Sequence, residues 1–422
     1  MLKMEGTMKD KERLTILVGA GAVVEISKVS TSSITTEILS LNKIHTSSKT
    51  LFSKIYSDLL INNQKWDNYT PNFEDIFHGL EILAGLFTID NAAPEFKPIY
   101  KYFTTIKDDY QQFDPYKNYP QKIDITLGLA FSDLLKIITD SIESYSTLSV
   151  TNWYQNFFLN LGNHYNLDIF NLNYDNLFEK IFKDYNDGFE NSKDNGTYIE
   201  FNPQLAMDTT SHAVNINHLH GQIDFTFINN PEIAKRDFDD DNFDTIYKLK
   251  KDVKNGHMRY AEGNFENTQN GEHLKQTTII TGKNKTEKIA IPPFDTYRAN
   301  LQKCIIQNPN LLIIGYGFAD YYVNNILKQF NKIHKENKRV NIIDFANEMD
   351  WNDKIHTKEQ ISETKFRTLY GIFKDENVET MLKKEFTSPR LFNNELNRLY
   401  LRGFKNAAEN NFEEIIDSYR RA

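Results

Sequence analysis

The sequence predicts an α/β fold, a doubly wound parallel sheet carrying a large helical insertion and a helical C-terminal region. Three observations lead there. Short, mainly apolar runs at residues 14–18, 167–170 and 311–314 have the length and composition of strands buried on both faces. Each run ends directly in a turn rich in Gly, Asn or Asp. A helical spacing of apolar residues then follows, the order of parallel strands joined by helices in a Rossmann-like sheet.

Residues 1–13 are polar and charged, and the first strand, Leu-Thr-Ile-Leu-Val, follows them. It runs into Gly19-Ala20-Gly21-Ala22, where small residues let backbone amides close on a phosphate with no Cβ in the way. The third glycine of a dinucleotide fingerprint is missing, with Val24 in its place. Glu37 has roughly the spacing of a ribose-binding acid but lies in a helical pattern. A plain tight turn therefore stays open as a reading of 19–22. Residues 35–162 are almost entirely helical in pattern, too long for a simple crossover, and read as an insertion or lid. Its clearest piece, 72–87, starts at Thr70-Pro71-Asn72 and lines up Ile76, Leu80, Leu83 and Phe87. Further helices read at 127–142 and at 150–161, the latter stopped by Gly162.

The second strand breaks into a polar knot at Asn171, Asn173, Asp175 and Asn176 before a helix over 174–185. After a turn-rich segment, a strand at 214–219 ends in His218-Leu219-His220-Gly221. Another short strand reads at 223–228, followed by an excursion of loops and short helices over about 229–276. The acidic block 237–244 within it reads as a solvated loop. Residues 277–281 return to strand, and Pro292-Pro293-Phe294 enters a helix ending near 307. The third clean strand, 311–314, is closed by Gly315-Tyr316-Gly317-Phe318-Ala319-Asp320. A helix to about 334 and a strand over 340–345, with Asp344 near its end, complete a domain over 1–345. Residues 346–422 read as mainly helical. The last helix puts Phe412, Ile415, Ile416 and Tyr419 on one face, for internal packing or for contact in an oligomer.

Composition narrows the function. The net charge is −9 and no sustained basic run exists, so the sequence carries no footprint for nucleic acid. A single cysteine, Cys304, excludes a disulfide framework and any multi-cysteine zinc site, and its apolar setting suits a small buried hydrophobe. Nothing approaches ~18 consecutive apolar residues, and no signal-peptide pattern opens the chain, so a cytoplasmic protein without membrane association is expected.

Four strand-end turns now carry glycine or polar groups: 19–22, 173–175, 218–221 and 315–320. In a doubly wound sheet such ends share one crevice, where ligands bind. Their order resembles that of sirtuins: Gly-Ala-Gly, then an Asn/Asp turn, then a histidine followed by glycine, then a second glycine turn. The Asn-Tyr-Asp-Asn-Leu and Gly-Tyr-Gly-Phe-x-Asp pieces, with the Asn72-Phe73-Glu74 helix start, resemble the bacterial sirtuin-like branch of anti-phage defence more than protein deacylases. The resemblance implies an NAD site and no metal. Gly19, Ala20, Gly21 and Ala22 are expected at the pyrophosphate, Asn173 and Asp175 at the nicotinamide ribose, and Gly315 and Gly317 at the adenosine half. Asp320 is expected to brace the third turn, Asp344 to reach the adenosine side, and His220 to match the sirtuin catalytic histidine. It further implies an NADase effector of abortive infection that forms a homo-oligomer and pairs with a HerA-type ATPase.

Cleaving the bond to nicotinamide builds positive charge on the ribose. Asn173 suits the orientation of a ribose hydroxyl or a water, and His220, as an imidazole, suits the role of base. The segment after the first turn departs from the sirtuin Gly-Ile-Pro-Asp-Phe-Arg, and the four-cysteine zinc module is absent, which counts against deacylation. Two other readings stay open. His218 and His220, two apart on a strand and so sharing a face, form with His212 and a carboxylate (Asp175 or Asp224) the set of a metal hydrolase. Alternatively, the chain is a non-catalytic nucleotide-sensing module.

Overall fold

A computed structural model describes residues 11–40, 45–63, 70–87, 123–146, 149–190, 198–227, 246–249, 262–267, 273–282, 285–345, 372 and 397–420. In chain order the strands are β1 (Arg13–Val18), β2 (Asn166–Asn171), β3 (Phe189–Glu190), β4 (Tyr198–Phe201), β5 (Val214–His218), β6 (Phe225–Phe227), β7 (Ile246–Leu249), β8 (Glu262–Asn267), β9 (His273–Thr277), β10 (Asn310–Ile314), β11 (Arg339–Ile343) and β12 (Asn397–Tyr400). Six of them form one sheet in the order β12-β11-β10-β1-β2-β5, and every neighbouring pair is parallel. The chain builds outward from β1 through β2 to β5, then returns to β1's other side with β10, β11 and β12. The strand order therefore reverses between β1 and β10, where an open α/β sheet forms its ligand crevice.

The central strands are apolar on both faces because both faces are covered. Leu14, Ile16 and Val18 enter one core with Leu167, Ile169, Leu312 and Ile314, while Leu17, Phe170, Leu311 and Ile313 enter the other. That is the two-residue alternation of a strand read on a doubly covered sheet.

The longer helices, in chain order, are α1 (Thr31–Ser40), α2 (Thr46–Asn63), α3 (Phe73–Phe87), α4 (Ile123–Ser146), α5 (Asn152–His164), α6 (Phe294–Gln307), α7 (Tyr321–His334), α8 (Phe404–Asn410) and α9 (Phe412–Arg420). The first five make up the expected helical block. At the start of α3, Asn72 Oδ1 accepts from the Glu74 amide at 2.8 Å, and Asp75 Oδ2 accepts from the Asn72 amide at 2.9 Å. This reciprocal cap fixes where the helix begins. Its buried face, Ile76, Phe77, Leu80, Leu83 and Ala84, meets α4 through an edge-on Phe77–Phe131 pair at 5.2 Å. Among the described residues, no helix is long and apolar enough to cross a membrane.

The structure departs from the sequence reading at several points. Helix α5 runs through Gly162 to His164, because Gly162 packs beside Phe182 and Leu167 and has no need of a left-handed turn. The helix expected over 174–185 shortens to Leu177–Ile181. The excursion holds strands: β7 joins the antiparallel sheet β3-β4-β7-β6, and β8 pairs with β9. The acidic block 237–244 lies outside the described residues. The segment read as mainly helical supplies β12, which extends the parallel sheet beside β11. In α9, Ile415, Ile416 and Tyr419 are fully buried, and the Tyr419 hydroxyl donates to the Leu311 carbonyl at 2.9 Å. That stripe packs inside the chain, against the sheet. Cys304 is buried as well, as expected of a small hydrophobe, and burial pushes its thiol well up.

Candidate active site

Strand register brings the four turns to one level. Ile314 pairs with Val18, Val18 with Asn171, and Asn171 with His218. The segments leaving β10, β1, β2 and β5 thus emerge side by side along an edge about 14 Å wide, from three interstrand spacings.

Two of these turns are interlocked. The Gly19 amide donates to the Ile314 carbonyl and the Gly21 amide to the Gly315 carbonyl, both at 2.9 Å. A Cβ on Gly19 would lie 2.7 Å from the Gly315 oxygen, and one on Gly21 2.8 Å from the Gly315 Cα. Gly315 itself has φ +61° and would place a Cβ 2.2 Å from the Ala22 nitrogen. Glycine is required here first because two backbones touch. The Ala22 and Val23 amides are also engaged within the turn. What the turns present outward is the exposed backbone of Ala20, Gly21 and Gly317, whereas Ala22 is buried. A Cβ at Gly317 would meet nothing within 4 Å, so this rim leaves room for a ligand. Next to it Phe318 holds φ +55°, a conformation costing a non-glycine residue on the order of 1 kcal/mol. Its carbonyl accepts from Asn324 Nδ2 at 2.8 Å.

The turn after β2 is tied to the first. Asn173 Nδ2 donates to the Gly19 carbonyl at 3.1 Å, and its own amide donates to Asn171 Oδ1 at 3.0 Å. Asp175 points inward. It is fully buried, accepts from the Leu177 amide at 3.2 Å, and takes the Tyr145 hydroxyl of α4 at 3.3 Å. Burial pushes its carboxyl up to about 6, against the lowering effect of the Leu177 amide and the His218 ring. Asp175 therefore supports the turn from behind.

The two histidines do not share a face. His218 ends β5 fully buried, its Nε2 at 2.8 Å from Glu179 Oε1. Glu179 also meets Lys248 at 3.2 Å, and Lys248 pairs with Asp187. Burial alone would raise the Glu179 carboxyl, but the His218 ring and the Lys248 ammonium outweigh it and hold the group well below its usual range. His220 lies beyond the strand in the turn, and its Nε2 is 3.3 Å from Asp320 Oδ2, in ion-pair contact but off hydrogen-bond alignment. Gly221 makes this possible: at φ +86° its hydrogen stands where a Cβ would lie 2.0 Å from the Thr278 oxygen. Burial pushes Asp320 up, yet the His220 ring and Lys285 bring it down to about 2.

His212 separates from both. Its carbonyl accepts from Arg13 Nη1 at 3.5 Å, at the amino end of the sheet, opposite His218 and His220. Asp224, the other carboxylate of that set, is bound by Asn176 at 2.7 Å and Gln222 at 3.2 Å. The three-histidine metal set is thus split by the length of β5, and among the described residues no group of three or more His, Cys, Asp or Glu is placed to hold a metal. Asp344 sits beyond β11, where its Oδ1 caps the Phe345 amide at 2.9 Å. It stands one strand further out than Gly315, on the side away from His220.

Sequence reasoning missed Lys285 and did not give Glu74 a role. Lys285 Nζ lies 3.0 Å from Glu74 Oε1 and 4.0 Å from Asp320 Oδ2. The Asn72-Phe73-Glu74 piece was the one signal pointing toward this contact.

No curated protein sequence matches the chain. Among solved structures, the chain is similar to a triple mutant of a Sir2 homologue in complex with 2'-O-acetyl ADP ribose. That likeness has 12% identity and a TM-score of 0.37, and covers 98% of this chain and 94% of that one. Residues 168–370 match the model of the SIR2-like domain, a stretch that holds Asn173, His220 and Gly315 but not Gly19.

Proposed function

We propose that the chain is a sirtuin-like NAD⁺ hydrolase that splits NAD⁺ into nicotinamide and ADP-ribose. The observation that supports it best is the level meeting of Asn173 and the His220–Asp320 pair with two interlocked glycine turns at the sheet's switch point. Asn173, His220 and the Gly315 turn lie in the SIR2-like stretch, and the Gly19 turn does not. With Nδ2 anchored on the Gly19 carbonyl, Asn173 turns Oδ1 to a ribose hydroxyl or a water. His220 acts as the base on that group, with Asp320 stabilising the imidazolium that forms. The exposed rim at Ala20, Gly21 and Gly317 takes the pyrophosphate and adenosine side, and Asp175 holds the Asn173 turn in place. Neither role needs the zinc module of deacylases.

The same reading makes the protein an effector of anti-phage abortive infection. It rests on the defence-type motifs in 173–177 and 315–320. A constitutively active NADase depletes its own host, so activity is gated by self-assembly and by a HerA-type ATPase partner. The test is direct. Purified protein, alone and with that ATPase, is incubated with NAD⁺ while nicotinamide release is followed. Release that is lost in His220→Ala and Asn173→Ala is expected. No release in any assembly state, or undiminished release by both variants, sinks the proposal.

A further inference from the structure

The helical turn Lys285–Lys288 is joined to α3 by two lysine–glutamate pairs. Lys285 Nζ donates to Glu74 Oε1 at 3.0 Å, and Lys288 pairs with Glu81. Glu74 and Glu81 are seven residues apart, about two turns along one stripe of the helix, so the pairs act as a two-point clamp. The Lys288–Glu81 pair is deeply buried: Lys288 also donates to the Thr281 carbonyl at 2.8 Å and lies 4.4 Å over the Phe77 ring. Gly282, at φ +83°, leaves Glu81 and Phe77 the space a Cβ would crowd at 3.0–3.1 Å.

The Lys285–Glu74 pair reaches the site. Asp320 Oδ2 stands 4.0 Å from Lys285 Nζ and 3.3 Å from His220 Nε2. A line of four charged or titratable groups thus runs from the β5 turn through the start of α7 and the 285–288 turn to the first turn of α3. It joins two segments far apart in sequence, since Glu74 and Lys285 are separated by 211 positions.

We propose that Lys285 is a positioning residue that couples the docking of helix α3 to the charge environment of His220. The inference rests on the reading of His220 as the base. While α3 is docked, Glu74 holds the ammonium and Asp320 serves His220. When α3 withdraws, Asp320 becomes the nearest anion to Lys285, and the carboxylate beside His220 is shared with a cation. A partner or second copy that moves the helical block therefore changes the base without touching it. The other groups facing this line are Tyr322, whose ring centre is 6.5 Å from that of His220, Arg298, 6.0 Å over the Tyr322 ring, and Tyr174, whose hydroxyl donates to the Ile280 carbonyl. Burial pushes both phenols up, so neither changes charge near neutrality.

The test is a histidine-selective NMR titration of the full chain, with the His220 ring signal assigned from His220→Gln. Glu74→Gln leaves Lys285 without its partner and is expected to lower the His220 titration midpoint by about half a pH unit, whereas Lys285→Met raises it by a similar amount. Lys285→Arg keeps the charge and stays near the wild type. The double variant Glu81→Gln/Lys288→Met removes the other pair without leaving a buried charge, and leaves the midpoint in place. A midpoint unmoved by both Glu74→Gln and Lys285→Met overturns the proposal, as does an equal shift in the Glu81/Lys288 double variant. Nicotinamide release from NAD⁺ is measured on the same samples. Shifts without release in any assembly state, alone or with the HerA-type ATPase, uphold the coupling and overturn the NADase reading.

Discussion

The Asn173 side chain donates to the Gly19 carbonyl across 3.1 Å, bridging the turns after two adjacent strands. One amide is thereby locked in rotation and offers a fixed acceptor at the crevice. Asn173→Ala removes both functions at once. Nicotinamide release is expected to fall by about 100-fold or more, the usual scale for losing a positioned polar group at a reacting centre. Asn173→Asp keeps an acceptor but loses the donor to Gly19, so its defect should be intermediate. Steady-state kinetics on the three proteins decides this, and equal rates in all three would remove Asn173 from the mechanism.

Gly315 tests whether the glycine turns are a packing requirement. Its φ of +61° and the 2.2 Å approach to the Ala22 nitrogen leave no space for a methyl group. Gly315→Ala is expected to cost at least about 3 kcal/mol, from left-handed strain and backbone displacement together. Gly317→Ala, where a Cβ meets nothing, should change stability by less than about 1 kcal/mol. Urea denaturation of both variants measures the contrast. Similar losses in the two would show that the turns do not interlock as described.

The two histidines separate by stability. His218 is fully buried against Glu179, and breaking such a pair leaves a buried charge short of a partner, at a cost of roughly 3–5 kcal/mol. His220 is buried too, but its contact with Asp320 is off hydrogen-bond alignment and Lys285 stays near that carboxylate, so His220→Ala should cost less, about 1–2 kcal/mol. A strongly destabilised His218→Ala beside a stable but inactive His220→Ala is the expected pair of results. The reverse order would exchange the roles assigned here.

Much of this was legible in the chain because it is local. An apolar strand followed by glycine or asparagine is written in consecutive residues, so five of the sheet's six strands and all four turns could be placed. What was not legible depends on partners far away in sequence. His218 and His220 sit two residues apart, yet one turns to Glu179 and the other to Asp320, and no periodicity distinguishes them. Strand β12 is four residues long and becomes a strand because β11 offers it an open edge. The inward aim of Asp175 is decided by Tyr145, on a helix of the insertion.

Asp175 gives stability a pH dependence of known sign. Burial pushes its folded-state carboxyl up to about 6. The folded protein therefore binds this proton more tightly than the unfolded chain, and stability falls as pH rises through the interval between about 4 and 6. The loss is on the order of 3 kcal/mol and is complete above that interval. Asp175→Asn keeps the shape and the Leu177 contact without the charge. It is expected to match the wild type near pH 4 and to exceed it by about 1–3 kcal/mol at pH 8. Denaturation curves of the two proteins across that range isolate this group from other titrations. A variant less stable than wild type at pH 8 would mean that the carboxylate is favourably held where it is.

The C-terminal segment supplies the edge strand β12 of the parallel sheet. Removing residues 346–422 would strip β12 from β11 and uncover the face that Ile415, Ile416 and Tyr419 bury. It would also leave the Leu311 carbonyl without the Tyr419 hydroxyl, 2.9 Å away in the centre of the sheet. An exposed parallel edge beside uncovered apolar surface favours aggregation. A chain ending at 345 is therefore expected to be insoluble or oligomeric on refolding, whereas Tyr419→Phe should fold with a loss of about 1–2 kcal/mol. Size-exclusion chromatography and thermal melts of the two proteins check this. A monomeric truncation that melts like the full chain would show that 346–422 is a separable unit, available in full for assembly.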